Sequence, residues 1–225
     1  MSESITLRKL GLVDYLSIYQ AMSTFTTQRG TEATDEIWCL QHLPVYTLGL
    51  AGKQEHILDA GNIPVIATDR GGQVTFHGPG QLVMYLLLDL RRRKIGIKDY
   101  VFLLEQSIID YLEPYGVSAA RRPGAPGVYI DGRKIAALGI RVRRGCSYHG
   151  LALNVNMDTG PFDGINPCGY PELEVVQLAD FCPSPVLDKV ADGLLQNLLR
   201  NIIGGPCKIV TKQNLDDLNA GDAAA

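Results

Sequence analysis

The chain has 225 residues, 46% of them hydrophobic and 20% charged, with a net charge of −3 and a pI near 5.8. That is enough for one large domain with a buried core and too little to require two. The slightly acidic balance excludes a general nucleic-acid binder, and the most apolar run, 82–90, falls far short of the ~20 residues that cross a bilayer.

Reading from the N-terminus, Met1-Ser2-Glu3-Ser4 shows no basic stretch leading into an apolar one. The five cysteines, at 39, 146, 168, 182 and 207, have no framework spacing. Free thiols and a cytoplasmic location are therefore expected. Leu12, Leu16, Tyr19, Met22 and Phe25 recur at helical spacing. A second helix is predicted over 98–115, with Val101, Leu104, Ile108 and Leu112 on one face and a stop at Pro114 and Gly116. A third is predicted over 185–203. Strand-like runs occupy 37–41, 45–48, 64–68, 73–76, 82–88, 127–130, 134–142 and 149–155. Asp131-Gly132 between two of them signals a type I′ hairpin. The fold class is thus α+β, a mixed and mainly antiparallel sheet flanked by helices. One domain is expected over 1–213, followed by a polar, alanine-rich tail, 214–225, a candidate for disorder.

Two basic clusters, Arg91-Arg92-Arg93-Lys94 and Arg141-Val142-Arg143-Arg144, are either solvated charges or a docking surface for an acidic partner. Cys146-x-x-His149 is half a zinc ligand set, but no second pair exists, so no metal is expected.

Three blocks can carry chemistry. Arg70-Gly71-Gly72-Gln73-Val74-Thr75-Phe76-His77 continues into Gly78-Pro79-Gly80-Gln81, a short strand between two tight loops. Its glycines let backbone approach a ligand, and its arginine can hold an anion or a carbonyl. It lacks the spacing of a dinucleotide fingerprint or a Walker loop. Lys134 opens a strand of small and apolar residues, including Ala136, Ala137, Leu138 and Gly139. Asn166-Pro167-Cys168-Gly169 presents a thiol from a sharp turn, a setting that no other cysteine of the chain shares. Singly, the lysine and the thiol lose to bland readings, an exposed strand-end charge and an inert cysteine, while the glycine-rich block outweighs its own, a hairpin built for packing.

In this order, together with His149-Gly150-Leu151-Ala152-Leu153-Asn154-Val155, the blocks closely resemble the lipoyl(octanoyl) transferases over roughly 30–187. The one visible departure is Phe76, where that family more often has tyrosine. The resemblance implies the fold of the biotin and lipoate ligase catalytic domain. It also implies a reaction: octanoyl passes from the phosphopantetheine thiol of acyl carrier protein to a lysine of a lipoyl domain, the first step of endogenous protein lipoylation. Position by position, Cys168 matches the acyl-thioester nucleophile and Lys134 the residue that favours its thiolate. Arg70 to His77, Ala137 to Gly139 and Gly150 to Ala152 match the acyl-site lining. Acceptors would be the lipoyl domains of 2-oxoacid dehydrogenase complexes and the glycine cleavage H protein. The enzyme would be a monomer and need no cofactor of its own, the acyl group arriving on its carrier. Two rivals stand beside this reading: an ATP-dependent lipoate or biotin ligase, and a non-catalytic acyl-carrier-binding protein. His77 is expected to contact substrate and His149 to support a loop.

Overall fold

The structure, a computed structural model, describes residues 4–205 and 207–216. In chain order its strands and helices are β1 (Ser4–Val13), α1 (Tyr15–Gln28), β2 (Asp35–His42), β3 (Val45–Leu48), β4 (Val65–Ala67), β5 (Val74–His77), β6 (Gln81–Leu87), α2 (Ile97–Leu112), β7 (Ala120–Arg121), β8 (Gly127–Ile130), β9 (Arg133–Arg143), β10 (Cys146–Asn154), α3 (Leu187–Leu198) and β11 (Lys208–Lys212). Among the described residues they form an eight-stranded sheet, β11-β1-β2-β6-β10-β9-β8-β7, and a three-stranded sheet, β4-β3-β5. In the large sheet only β1 pairs parallel, with β2 and β11; every other pairing is antiparallel. A parallel pair needs a crossover, and α1 supplies the one between β1 and β2.

Both faces of the large sheet are covered, which explains why 82–88 is apolar throughout instead of alternating. Leu82, Met84 and Leu86 pack beneath α2 and α3 with Leu104, Ile108 and Leu194. Val83, Tyr85 and Leu87 point the other way, toward α1, with Ile18, Met22 and Trp38. A third cluster, including Tyr46, Val74, Phe76 and Phe162, fills the far side of the small sheet. The hairpin at Asp131-Gly132 has φ of 49° and 81°, both positive as a type I′ turn requires.

The helices lie where periodicity predicts them, with one change of face. Leu12 belongs to β1 and Leu16 is exposed; the buried positions of α1 are Tyr15, Ile18, Met22 and Thr26. Asp14 caps it by accepting from the Ser17 amide. Sequence reading missed β1 because a charge interrupts its pattern. Arg8 is nevertheless fully buried, since Glu36 on β2 accepts its Nε at 2.7 Å and its Nη2 at 3.0 Å. The edge strand β11 was missed too, being largely exposed and carrying little pattern.

Within the Arg91–Lys94 cluster, Arg91 and Lys94 are exposed, whereas the other two arginines are engaged with the fold. Arg92 and Arg93 turn inward with Arg29 onto Asp35, which is 1% exposed and also accepts from the Asp89 amide. One buried carboxylate shared by three guanidiniums ties the end of β6 to β2. Of the expected tail, 217–225 lies outside the described residues. Before it, the Asn214 carbonyl accepts from Arg8, and Leu215 packs on the α1 side of the core.

Candidate active site

The hairpin β8–β9 and the loop before α3 bring two groups together. Lys134 sits at the start of β9, where β10 no longer pairs with it. The segment 174–176 takes that place: the Lys134 amide donates to Glu174 O at 2.8 Å, and its carbonyl accepts from Val176 at 2.9 Å. Six residues before Glu174 lies Cys168, so pairing at 174–176 delivers the thiol to the lysine. Sγ and Nζ are 2.6 Å apart. Cys168 has φ 58°, a left-handed conformation uncommon outside glycine, between Pro167 and Gly169. The Asn166 amide, bonded to His56 O at 2.8 Å, anchors that turn.

Lys134 is 3% exposed, and among the described residues its Nζ has three neighbours: the thiol, Pro126 O at 3.2 Å and the Tyr129 ring at 5.1 Å from its centroid. None is a carboxylate. Burial raises the Tyr129 phenol, whose hydroxyl donates to Ala125 O, so it stays neutral. The only one of the three able to hold a full negative charge beside the ammonium is Cys168. Buried cations are tolerated when paired, and the Cys168 sulfur is the group placed to pair with this one.

Gly127 makes the lysine's position possible. Its φ is 144°, and a Cβ there would lie 2.9 Å from Lys134 Cε and 2.8 Å from Ala136 O. Gly127→Ala is therefore expected to push the ammonium off the thiol. A misplacement near 1 Å costs ~10²-fold in rate, so steady-state turnover should drop by about that factor. Wild-type turnover in this variant would show that the contact does not matter.

Two cavities meet at Cys168. The narrower, about 490 Å³ with its mouth, runs from the thiol over Ala137 and Ala152 to Val83 and Tyr85. The wider, about 760 Å³ with its mouth, opens toward Val101, Gly124, Pro126 and Tyr170. Strand register lays the floor of the narrow one: Ala137 pairs with Ala152, which pairs with Val83, a row of small side chains crossing three strands on one face. On the row beside it Gly139 pairs with Gly150, and Gly150 with Tyr85.

Most residues named from sequence do line the narrow cavity: Arg70, Gly72, Gln73, Val74, Thr75 and His77, then Ala137, Leu138, Gly139, Gly150, Leu151 and Ala152. Gly71 lines the wider one instead. Phe76 belongs to neither lining; its ring packs on Tyr46 and Phe162, with centroids 5.5 and 5.6 Å away. Leu138 and Leu151 pack beneath α2 and α3, so they contribute main chain. Ala136, next to the lining residues in sequence, is buried in that same opposite core. The two glycines have other duties. A Cβ on Gly139 would strike Arg70 Cδ at 2.9 Å, and one on Gly150 would meet Met84 O at 2.2 Å.

Arg70 crosses Gly139 and is 7% exposed. It donates to Thr47 Oγ1 and O, from Nε at 3.1 Å and Nη2 at 2.8 and 2.5 Å, and from Nη1 to Gly71 O at 2.9 Å. The Thr47 hydroxyl then donates to His77 Nε2 at 3.3 Å, because His77 Nδ1 must give its proton to Gln81 Oε1 at 2.7 Å. Tyr15, Tyr85 and His42 complete this end wall: Tyr15 stacks on His77, and His42 lies 2.7 Å from the Tyr85 hydroxyl. None of these three was identified from sequence. A tyrosine inside an all-buried apolar strand was the available signal for Tyr85.

His149, expected to support a loop, lines the cavity as His77 does. Its φ is 59°, its Nε2 lies 3.0 Å from Asp69 Oδ1, and its buried Nδ1 has no partner among the described residues. Burial pushes the Asp69 carboxyl up, but hydrogen bonds from His149 and Tyr148 outweigh it and hold it at about 2.

Burial lowers His77 to about 3 and His42 to about 4. Unfolded histidine titrates near 6.5, so between pH 7 and 5 the unfolded chain binds two protons that the folded chain refuses. Stability must fall with pH in that window, by about 2 kcal/mol per histidine and about 4 kcal/mol together. Urea denaturation at pH 7 and pH 5 measures this; equal midpoints would contradict neutral, buried histidines.

Residues 14–199 match the family model described as Lipoyl protein ligase A/B catalytic domain. The chain is 57% identical over 202 residues to an octanoyltransferase of Azoarcus sp. (strain BH72), covering 89% of this chain and 88% of that one. It is 55% identical to an octanoyltransferase of Pseudomonas entomophila (strain L48), covering 90% and 94%. Among solved structures it resembles a bi-partite lipoate protein ligase from Thermoplasma acidophilum, described with its E2 lipoyl domain. There the TM-score is 0.74 at 16% identity, over 99% and 92% of the two chains. Biotin protein ligase from Aquifex aeolicus shares the fold at a TM-score of 0.52 and 11% identity, over 91% and 71%.

Proposed function

The chain belongs to the lipoyl protein ligase A/B catalytic-domain family, among its octanoyltransferases, and from that premise we propose how it moves the octanoyl group. The donor is octanoyl-acyl carrier protein and the acceptor is a lysine of a lipoyl domain. Cys168 carries the acyl group between them as a thioester.

In the first half-reaction the Cys168 thiolate attacks the donor carbonyl. The bond to the phosphopantetheine sulfur breaks, and the leaving thiolate takes a proton from Lys134. One thioester is exchanged for another, so little free energy is lost. In the second, the acceptor amine attacks the Cys168 thioester. The C–S bond breaks, an amide forms, and Lys134, now neutral, takes the amine's proton. The ammonium–thiolate pair is thereby restored. No dissociable cofactor enters either half.

The observation that carries this reading is the 2.6 Å contact between Lys134 and Cys168, with no carboxylate beside Nζ among the described residues, where two cavities meet. Lining the narrow cavity with Ala137, Ala152 and Val83 suits a straight alkyl chain, whose burial stabilises by ~0.8 kcal/mol per methylene. Intact mass spectrometry after mixing with octanoyl-acyl carrier protein should show one octanoyl group added. Mixing that product with a lipoyl domain should move the group to the domain's lysine. Product made only from free octanoate and ATP would instead identify an adenylating ligase.

A further inference from the structure

We propose that the wider cavity is the binding site for the pantetheine arm of the acyl donor, with Arg122 at its rim receiving the arm's phosphate. This rests on the Cys168 thioester reading. A thioester under attack has two substituents on its carbonyl carbon, an alkyl chain and a thiol arm, and both need space at once. The narrow cavity offers space for one only, because Tyr85, His77 and Tyr15 stand at its inner end. The wider cavity shares Gly72, Gln73, Gly139 and Cys168 with it and leads away from the sulfur in another direction.

Its walls suit an amide-bearing arm better than a second alkyl chain. Gly71, Gly72 and Gly124 to Pro126 present main chain, Gln73 an amide, and Val101 and Tyr170 apolar surface. Tyr170 is 37% exposed and so marks the mouth. Over its ring, at 4.9 Å from the centroid, lies the exposed Arg122 guanidinium. No carboxylate pairs with Arg122 among the described residues, whereas its neighbour Arg121 is held by Glu105 at 3.2 Å. A free, planar guanidinium at the mouth of an amide-sized cavity is fitted to a phosphate. The acceptor's lysine side chain must then enter by the same route after the arm has left, which forces the two half-reactions to alternate.

The test compares two donors in a single-turnover assay of Cys168 octanoylation: octanoyl-phosphopantetheine, and octanoyl ethyl thioester, which has no arm. Val101→Trp fills the wider cavity from α2. It should slow the arm-bearing donor by about tenfold or more and the armless one by less than about twofold. Arg122→Ala, at an exposed position that tolerates change, should slow octanoyl-phosphopantetheine several-fold and leave octanoyl-pantetheine without phosphate unchanged. Equal losses with both donors, or none with the arm-bearing one, would overturn the assignment. If the wild-type protein took octanoyl from neither donor, the Cys168 thioester itself would be wrong, and the arm site with it.

Discussion

Cys168→Ala is expected to abolish octanoyl transfer, by about 10⁴-fold or more, while leaving the fold intact. No other thiol can substitute. Burial pushes Cys39 up to about 12 and raises Cys146 as well, and both are enclosed in the sheet. Cys182 and Cys207 pack against the core beneath α2 and α3, away from the cavities. Stability should move the opposite way in a second variant. At φ 58° a side chain is strained, and glycine is not, so Cys168→Gly should gain about 1 kcal/mol in urea denaturation while losing the same activity. That pairing of gained stability with lost function is the mark of a residue held in place for its chemistry. A Cys168→Ala enzyme keeping even about a hundredth of wild-type turnover would place the nucleophile elsewhere.

Much of this candidate site could be read in the sequence because the two residues proposed to react sit in locally determined structures. Asn-Pro-Cys-Gly can hardly be anything but a turn, and Asp131-Gly132 sets the hairpin that starts β9 one residue before Lys134. Helices α2 and α3 announce themselves by period, since each buries one stripe against the sheet. The end wall of the narrow cavity is different. Tyr15, His42 and Tyr85 come from α1, β2 and β6, and only the sheet order brings them together. Asp69 becomes a partner of His149 across 80 residues, a relation no local pattern encodes. Gly139 and Gly150 show a subtler limit. Their smallness was visible, but its purpose, admitting Arg70 in one case and Met84 O in the other, is set by neighbours far along the chain.

Lys134 is the harder test, because charge and proton transfer are separate roles. Lys134→Ala removes both, and turnover should fall by about 10³-fold, within the range of a lost acid–base catalyst. Lys134→Arg separates them. A guanidinium keeps the positive charge beside Cys168 but cannot be deprotonated in a protein, so it can neither protonate the leaving thiolate nor accept the amine's proton. The first loss is mild, since a pantetheine thiolate is a fair leaving group and water can protonate it afterwards. The second is severe, since the acceptor amine becomes an ammonium when it adds to the thioester and must shed that proton before the amide can form. Lys134→Arg is therefore expected to become octanoylated within about tenfold of the wild-type rate and then to stall, as transfer slows by about 10²-fold or more. Intact mass during turnover reads this directly: the arginine enzyme should accumulate as its octanoyl form, whereas the alanine enzyme should remain mostly free. If transfer in Lys134→Arg kept pace with acylation, the lysine would serve as a charge alone and the proton would leave by another path.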